Sequence, residues 1–490
     1  MPHRRLFGSA VFAILAWMAP SLAAAQALSP ALCPAGSPFN LQPTFTQFLA
    51  GQPGIPLLRR TINAGIYPEA RCNDGTAAVM YIRPANAAYG GNPIVNSSRK
   101  WLIFLDGGGG CRNADECLLD RWCSGGGQVF DRAGKMSSAG APAAIRGFGI
   151  FSLQPPAPFV NQFADYNHVL VHYCSSDNWI GSSQLAGVST STGTAYDIRF
   201  EGEAIVNAVI STLLNGPVGA DPAVAAAFYN TTVPNLQAAS EILLGGESAG
   251  GGGLRHHLDR LYTLLQAAVA DPEVKIRAVV DAGAPPGLWD PAISWADPYS
   301  PGDYPDNLLT QVEPTLRSFW GANDSALDAS CLDPAWAAAH NLIGSHPQIC
   351  YDTTYTLMNH ITTPVFLRQD INDPLGKQRY VDWALYATSD DFWSAQFAQL
   401  NLFASYTPAA GGLEPPLAAP GAQGIHCNRH VSIQTNDGFY AHNVTGPGVP
   451  ARSFHDLLVA WLAGAPTGPN TVQIQTDGLG VGAYSASFCP

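Results

Sequence analysis

Chemistry is easiest to place first at Gly245-Gly-Glu-Ser-Ala-Gly-Gly-Gly-Gly253, where Gly246, Ser248 and Gly250 form a G-x-S-x-G pattern. Attack on an acyl carbon needs a hydroxyl held out on a sharp strand-to-helix turn, and small flanking residues let the backbone make that turn. The next amide, at Ala249, would open the helix, where unpaired N–H groups favour an oxyanion. A second glycine run, Gly107–Gly110, follows Asp106 and precedes Cys111. Glycines there let the main chain approach a ligand closely, so the amides of Gly108 and Gly109 are the expected partners of Ala249. A nucleotide-phosphate loop would use such glycines too. It requires G-x-G-x-x-G spacing or a following Gly-Lys-Ser/Thr, and this loop has neither.

A serine nucleophile needs a base, and the base needs a carboxylate to orient it. The histidines downstream are His340, His346, His360, His426, His430, His442 and His455, and Arg368-Gln-Asp-Ile-Asn-Asp373 offers Asp370 or Asp373. Spacing alone leaves both choices open. His426 and His430 are also a candidate metal pair, but no Cys or His cluster of zinc spacing completes it, and no cofactor is required by the serine reading.

These groups need a frame that brings distant segments together. Residues 101–105, 168–172, 242–244, 277–280 and 364–368 are short runs dominated by apolar residues on consecutive positions, as in parallel strands covered on both faces. Helical spacing of apolar residues falls between and after them, at 201–214, 254–269 and 454–462. The pattern predicts an α/β fold: a mostly parallel central sheet flanked by helices, α/β-hydrolase-like, with right-handed crossovers and loop insertions at 111–160 and 285–350. The Gly/Pro-rich stretch 407–424 reads as a loop or weak boundary, no internal repeat appears, and residues 26–490 read as one catalytic domain.

Composition limits the alternatives. The chain has 490 residues, 47% hydrophobic and only 12% charged, which excludes a disordered acidic chain. The net charge is −13 without a clustered basic run in the mature part, so no nucleic acid is expected as partner. His3, Arg4 and Arg5, an apolar stretch from Leu6 to Met18 and Ala23-Ala24-Ala25 read as a signal peptide over 1–25, with no membrane span after its removal. The mature protein is therefore expected to be secreted or periplasmic. Ten cysteines behind such a leader predict disulfides, one of them local among Cys111, Cys117 and Cys123. Sequons occur at Asn96, Asn230, Asn323 and Asn443.

With these pieces in place, the sequence resembles the pectin acetylesterase/Notum family of serine carboxylesterases. Trp101-Leu-Ile-Phe-Leu-Asp-Gly-Gly-Gly-Gly-Cys111 is similar to the family's strand and L-E-G-G-G-W-C loop, and Gly246-Glu-Ser-Ala-Gly-Gly251 to its G-x-S-A-G-G elbow. Val171-His-Tyr-Cys-Ser-Ser-Asp177, with Trp179 and Gly181, resembles its Y-C-D-G-S-x-x-G-D segment, and Val279-Val-Asp-Ala-Gly283 its D-A-G strand end. The segment 365–373 resembles the strand carrying its acid, and Cys427-Asn-Arg-His430 its C-x-x-H. The resemblance implies a triad of Ser248, Asp373 and His430, selecting these over Asp370 and His442. It also implies oxyanion donors at Gly108, Gly109 and Ala249, and substrate contacts at Asp177 and Trp179. The expected substrate is an O-acetylated polysaccharide such as pectin, with a lipid-type or other small acyl ester as the alternative. A non-catalytic binding protein on the same fold is the rival of another class. Trp289 and Trp320, with Trp179, are candidate pocket walls, with buried packing the blander account of each. Departures are Gly110 in place of the loop Trp, Glu201 within Phe200-Glu-Gly202 where the family often has Arg, and Val431 where plant members carry Cys.

Overall fold

A computed structural model describes residues 55–85, 98–123, 133–188, 195–287 except 231, 318–339 except 323, 350–376, 387–405, 420–446 except 428, 449–465 and 471–474, with isolated positions 28, 32, 33, 37 and 193. The leader 1–25, Asn96, Trp289, Asn323, His340, His346 and residues 407–419 lie outside the described residues.

The strands in chain order begin with β1 (Leu57–Thr61), β2 (Val79–Arg83), β3 (Lys100–Leu105), β4 (Ala144–Ile145) and β5 (Asn167–Val171). Three two-stranded ribbons pair β6 (Ser183–Val188) with β7 (Ala195–Phe200), β8 (Val218–Gly219) with β9 (Thr232–Val233), and β14 (Asn443–Gly446) with β15 (Val449–Ser453). The remaining strands are β10 (Glu241–Glu247), β11 (Lys275–Asp281), β12 (Val365–Asp370), β13 (Gly421–Ile425) and β16 (Val472–Ile474). Among the described residues the main sheet has ten strands in the order β16-β13-β12-β11-β10-β3-β5-β2-β1-β4. Neighbours from β16 to β5 are parallel, and β2, β1 and β4 continue the sheet antiparallel at one edge. The fold is α/β and hydrolase-like, as the sequence pattern predicts, and each of the five apolar runs lies in a strand of this sheet, apart from its terminal His172 and Pro364.

The helices are α1 (Gly202–Leu214), α2 (Pro222–Ala227), α3 (Ala249–Ala268), α4 (Pro334–Ala339), α5 (Thr353–Asn359), α6 (Ser389–Ser405) and α7 (Phe454–Leu462). Alternate residues of the central strands enter two cores. Ile103, Leu105, Leu244 and Val280 pack with Val209 of α1 and Leu254 and Leu258 of α3. Leu102, Phe104, Leu243 and Phe366 pack with Phe454, Leu458 and Trp461 on the other face. Two covered faces leave no polar phase in the strand sequence, which is why the runs are continuous.

The segment 421–424 departs from the expected loop, because it forms most of β13. A Cβ on Gly421 would lie 2.3 Å from a Phe366 ring carbon and 2.9 Å from Trp461. Large neighbours thus supply the apolar bulk that the strand lacks, and Gly-Ala-Gln-Gly-Ile carries no strand signal of its own.

Disulfides join Cys33–Cys123, Cys72–Cys174, Cys111–Cys117 and Cys331–Cys350, and Cys427 is disulfide-bonded as well. The Cys111–Cys117 bridge is the expected local one. No helix among the described residues is long and apolar enough to cross a membrane.

Candidate active site

The C-terminal ends of β3, β10, β11, β12 and β13 lie side by side, so the loops leaving them converge at one sheet edge. β10 ends at Glu247, and α3 begins at Ala249. Ser248 makes the whole reversal between them, at φ 51° and ψ −123°. That conformation is costly for a residue with a Cβ and persists only where the surroundings enforce it. The Ser248 N–H donates to the Asp281 carbonyl at 2.9 Å, and the Ser248 carbonyl accepts from Gly252 N–H at 2.9 Å.

The loop after β13 brings His430 over this turn, with Nε2 2.7 Å from Ser248 Oγ and Nδ1 2.7 Å from Asp373 Oδ2. Asp373 lies just beyond β12. Its other oxygen, Oδ1, accepts from the Leu375 and Gly376 amides at 2.9 and 3.0 Å. An imidazole held with its Nδ1–H on a carboxylate presents a bare Nε2 to the hydroxyl, so it can take that proton when the oxygen attacks. Both ring nitrogens of His430 are thereby engaged. The structure sends the other candidates elsewhere. Asp370 binds Arg368 at 2.7 Å, His360 faces Ser330 Oγ at 2.8 Å, His442 faces Arg429, and His455 faces Asp456. Among the described residues no group of three His, Cys, Asp or Glu could hold a metal ion.

The glycine loop after β3 lies directly against the turn, since a Cβ on Gly107 would stand 2.9 Å from Ser248 Cβ. Gly108 and Gly109 have φ of 153° and 67°, backbone that other residues rarely adopt. The Gly108 carbonyl accepts from Arg121 Nη1 at 2.9 Å, and Arg121 Nε donates to Ser176 Oγ at 3.1 Å. Because a trans peptide directs C=O and N–H oppositely, Arg121 fixes the direction of the Gly109 amide. At Gly110, where the family has Trp, a Cβ would meet the Trp320 ring at 3.0 Å. Trp320 therefore packs on that position from the 285–350 insertion, and its Nε1 donates to the Cys111 carbonyl at 2.8 Å.

Below the loop, Lys135 pairs with Asp106, and both are almost fully buried. Glu247 is buried beside them. Burial pushes its carboxyl well above the usual range, and the charges of Asp106 and Asp281 add to that effect. His172 is lowered to about 4, first by burial and then by Lys135.

Asp177 and Trp179 require correction as substrate contacts, because both are 0% exposed. Asp177 accepts from Ser175 Oγ, Trp179 N–H and Gly202 N–H at 2.6, 2.9 and 2.8 Å, and Trp179 Nε1 donates to the Asp106 carbonyl at 3.1 Å. They tie the segment after β5 to the start of α1 and to the glycine loop, and leave no surface for a ligand. Sequence reasoning did not single out Arg121, Lys135, Asp281 or Arg368. Apart from Asp281, none is a motif position with a role attached to it. The aspartate in Val279-Val-Asp-Ala-Gly283 was the one available signal.

Residues 59–285 match the family model described as Pectinacetylesterase. The match spans 227 of the 490 residues, a little under half of the chain. That region includes Gly108, Gly109, Ser248 and Ala249 and ends before Asp373 and His430, so the meeting of base and acid with the elbow is information from the fold. Among curated proteins, the palmitoleoyl-protein carboxylesterase notum2 of Xenopus laevis is 31% identical over 214 residues, 43% of this chain and 34% of that protein. The palmitoleoyl-protein carboxylesterase NOTUM of Drosophila melanogaster is 28% identical over 306 residues, 62% of this chain and 36% of that protein. The chain thus spans about a third of the length of these relatives. A crystal structure of the Wnt deacylase Notum from Drosophila shares the fold, with a TM-score of 0.56 at 20% identity, covering 89% of this chain and 100% of that one.

Proposed function

We propose that this chain is an exported serine carboxylic ester hydrolase. The observation that carries the reading is the pair of 2.7 Å contacts that link Ser248, His430 and Asp373. In the proposed reaction His430 Nε2 removes the Ser248 proton as Oγ attacks the ester carbonyl. The amides of Gly108, Gly109 and Ala249 receive the developing oxyanion, with Ala249 at the positive end of α3. His430 then protonates the departing alkoxide, and water repeats the sequence on the acyl-enzyme. Asp373 holds the imidazole and stabilises its cationic form. No cofactor enters this sequence.

The family model's description supports O-acetyl groups on a polysaccharide such as pectin as the substrate. The names of the curated relatives support a second reading, removal of a longer fatty acyl group. Disulfides joining described cysteines support an oxidising, extracytoplasmic location.

The test is Ser248→Ala assayed on p-nitrophenyl acetate, with an expected loss of roughly 10⁴-fold or more in kcat. Unchanged turnover would remove the serine mechanism, whereas a wild-type chain with no turnover on any ester would favour a binding protein. Comparing acetylated pectin with p-nitrophenyl esters of increasing chain length separates the substrate readings. Strong preference for long chains with no acetate release from pectin overturns the polysaccharide reading.

A further inference from the structure

The buried carboxylate at the end of β11 touches more of the site than its sequence position suggests. Asp281 is 0% exposed. Its Oδ2 accepts from the amides of Ser432 and Ile433 at 2.6 and 2.7 Å, immediately beyond His430. Its main-chain carbonyl accepts the Ser248 amide at 2.9 Å. Its Oδ1 accepts from Arg368 Nη1 at 2.9 Å, and Arg368 Nη2 donates to Asp370 Oδ1 at 2.7 Å. The Asp370 carbonyl in turn accepts the Asp373 amide at 3.2 Å. One continuous set of bonds therefore reaches the main chain next to the hydroxyl, the imidazole and the carboxylate.

We propose that the Asp281–Arg368–Asp370 ion triad is the positioning element of this site, setting the relative placement of Ser248, His430 and Asp373 from beneath. The proposal rests on the serine-hydrolase reading above and adds to it the groups that hold the geometry. Stability alone is a poor reason for such a triad, because buried ion sets often give no more than well-packed apolar residues of the same volume. Placement is a better one. β10, β12 and β13 supply the three reacting residues from separate strand ends, and β11 lies between β10 and β12. A charge that spans these ends fixes distances that no single loop controls. The planar guanidinium of Arg368 holds its two donors at a fixed spacing between the two carboxylates, a rigidity that a flexible lysine ammonium lacks.

The test is a double-mutant cycle on the full chain with p-nitrophenyl acetate. Asp281→Asn retains the main-chain carbonyl to Ser248, but its amide has only one oxygen. It must abandon either Arg368 or the Ser432 and Ile433 amides. The expected result is a kcat loss of about 10²-fold with KM changed by less than about threefold, the scale of a modest misplacement of reacting groups. In a His430→Ala background the same substitution should cost less than about twofold, because the imidazole it positions has been removed. An equal loss in both backgrounds, or wild-type kcat for Asp281→Asn, overturns the proposal. If Asp281→Asn does not fold, Arg368→Lys runs in the same cycle, with an expected loss of roughly tenfold that likewise vanishes without His430. Ser248→Ala measured alongside keeps the two claims apart. Full turnover there rejects the serine reading itself, whereas an inactive Ser248→Ala beside a fully active Asp281→Asn rejects only the positioning role.

Discussion

Replacing Asp373 by Asn changes one atom's chemistry and almost nothing of its shape, so the consequence can be worked from the hydrogen bonds. Two orientations of the new amide are available. In the first, the oxygen stays on the Leu375 and Gly376 amides at 2.9 and 3.0 Å, and the NH2 group faces His430 Nδ1. Nδ1 must then accept, the ring proton moves to Nε2, and Nε2 can no longer take the Ser248 proton. In the second, the oxygen keeps Nδ1–H, but the NH2 group is set against two backbone donors. Stranding two half-buried amides costs about 1–3 kcal/mol each, so the first orientation wins by roughly 2–6 kcal/mol. The productive tautomer then makes up about 3 × 10⁻² to 4 × 10⁻⁵ of the population, and kcat should fall by about 30-fold to 3 × 10⁴-fold. The upper end matches the scale of the same replacement in other serine triads. The assay is kcat on p-nitrophenyl acetate, with the thermal midpoint measured in parallel. Retention of more than a tenth of wild-type kcat by a folded variant would refute the tautomer argument.

Three further outcomes concern stability. His172 is neutral in the folded state, with its pKa lowered to about 4 from an unfolded 6.5. The unfolded chain therefore binds the extra proton between those values, and stability is lost as pH falls through that window. The contribution between pH 7 and 5 is about 2 kcal/mol in urea unfolding, and His172→Gln should remove it. A pH response identical to wild type refutes this. Gly421→Val should destabilise by about 3 kcal/mol, because its side chain would occupy the Phe366 and Trp461 rings; an unchanged denaturation midpoint would show that β13 shifts freely. Replacing Cys72 and Cys174 together by Ser opens a link across 102 residues and should cost about 3–5 kcal/mol, read as a lower midpoint in chemical denaturation.

Much of this architecture was legible because central parallel strands must be apolar on both faces. The runs 101–105 and 242–244 announce themselves in this way, and the glycine-flanked serine announces a turn. β13 is silent because Phe366 and Trp461 fill the space beside it. The antiparallel edge was missed strand by strand: β1 turns polar at Arg59, β4 is two residues long, and β2, apolar except for Arg83, stands outside the strand–helix alternation that marks the parallel strands. At the site, Ser248 could be proposed from local pattern. The choice of Asp373 over Asp370 needed family resemblance, since both stand within three residues of the end of β12. The fold separates them: Arg368 engages Asp370, while the imidazole of His430 meets Asp373. The role of Asp281 was illegible because its partners lie 87, 151 and 152 residues away. Trp179 misled for the opposite reason. A large aromatic in a motif suggests a ligand wall, yet here it packs inside and donates to the Asp106 carbonyl.

The strand order has a consequence for synthesis. β3 and β10 emerge from the ribosome well before β12 and β13, yet all four belong to one sheet edge. A nascent chain extending to residue 285 would hold the serine turn and the glycine loop but neither Asp373 nor His430. On the proposed reading its hydroxyl would be no more reactive than that of any other serine. Latency is thus built into chain order: on that reading the chain gains its reactivity only when the segments beyond residue 285 fold onto the sheet.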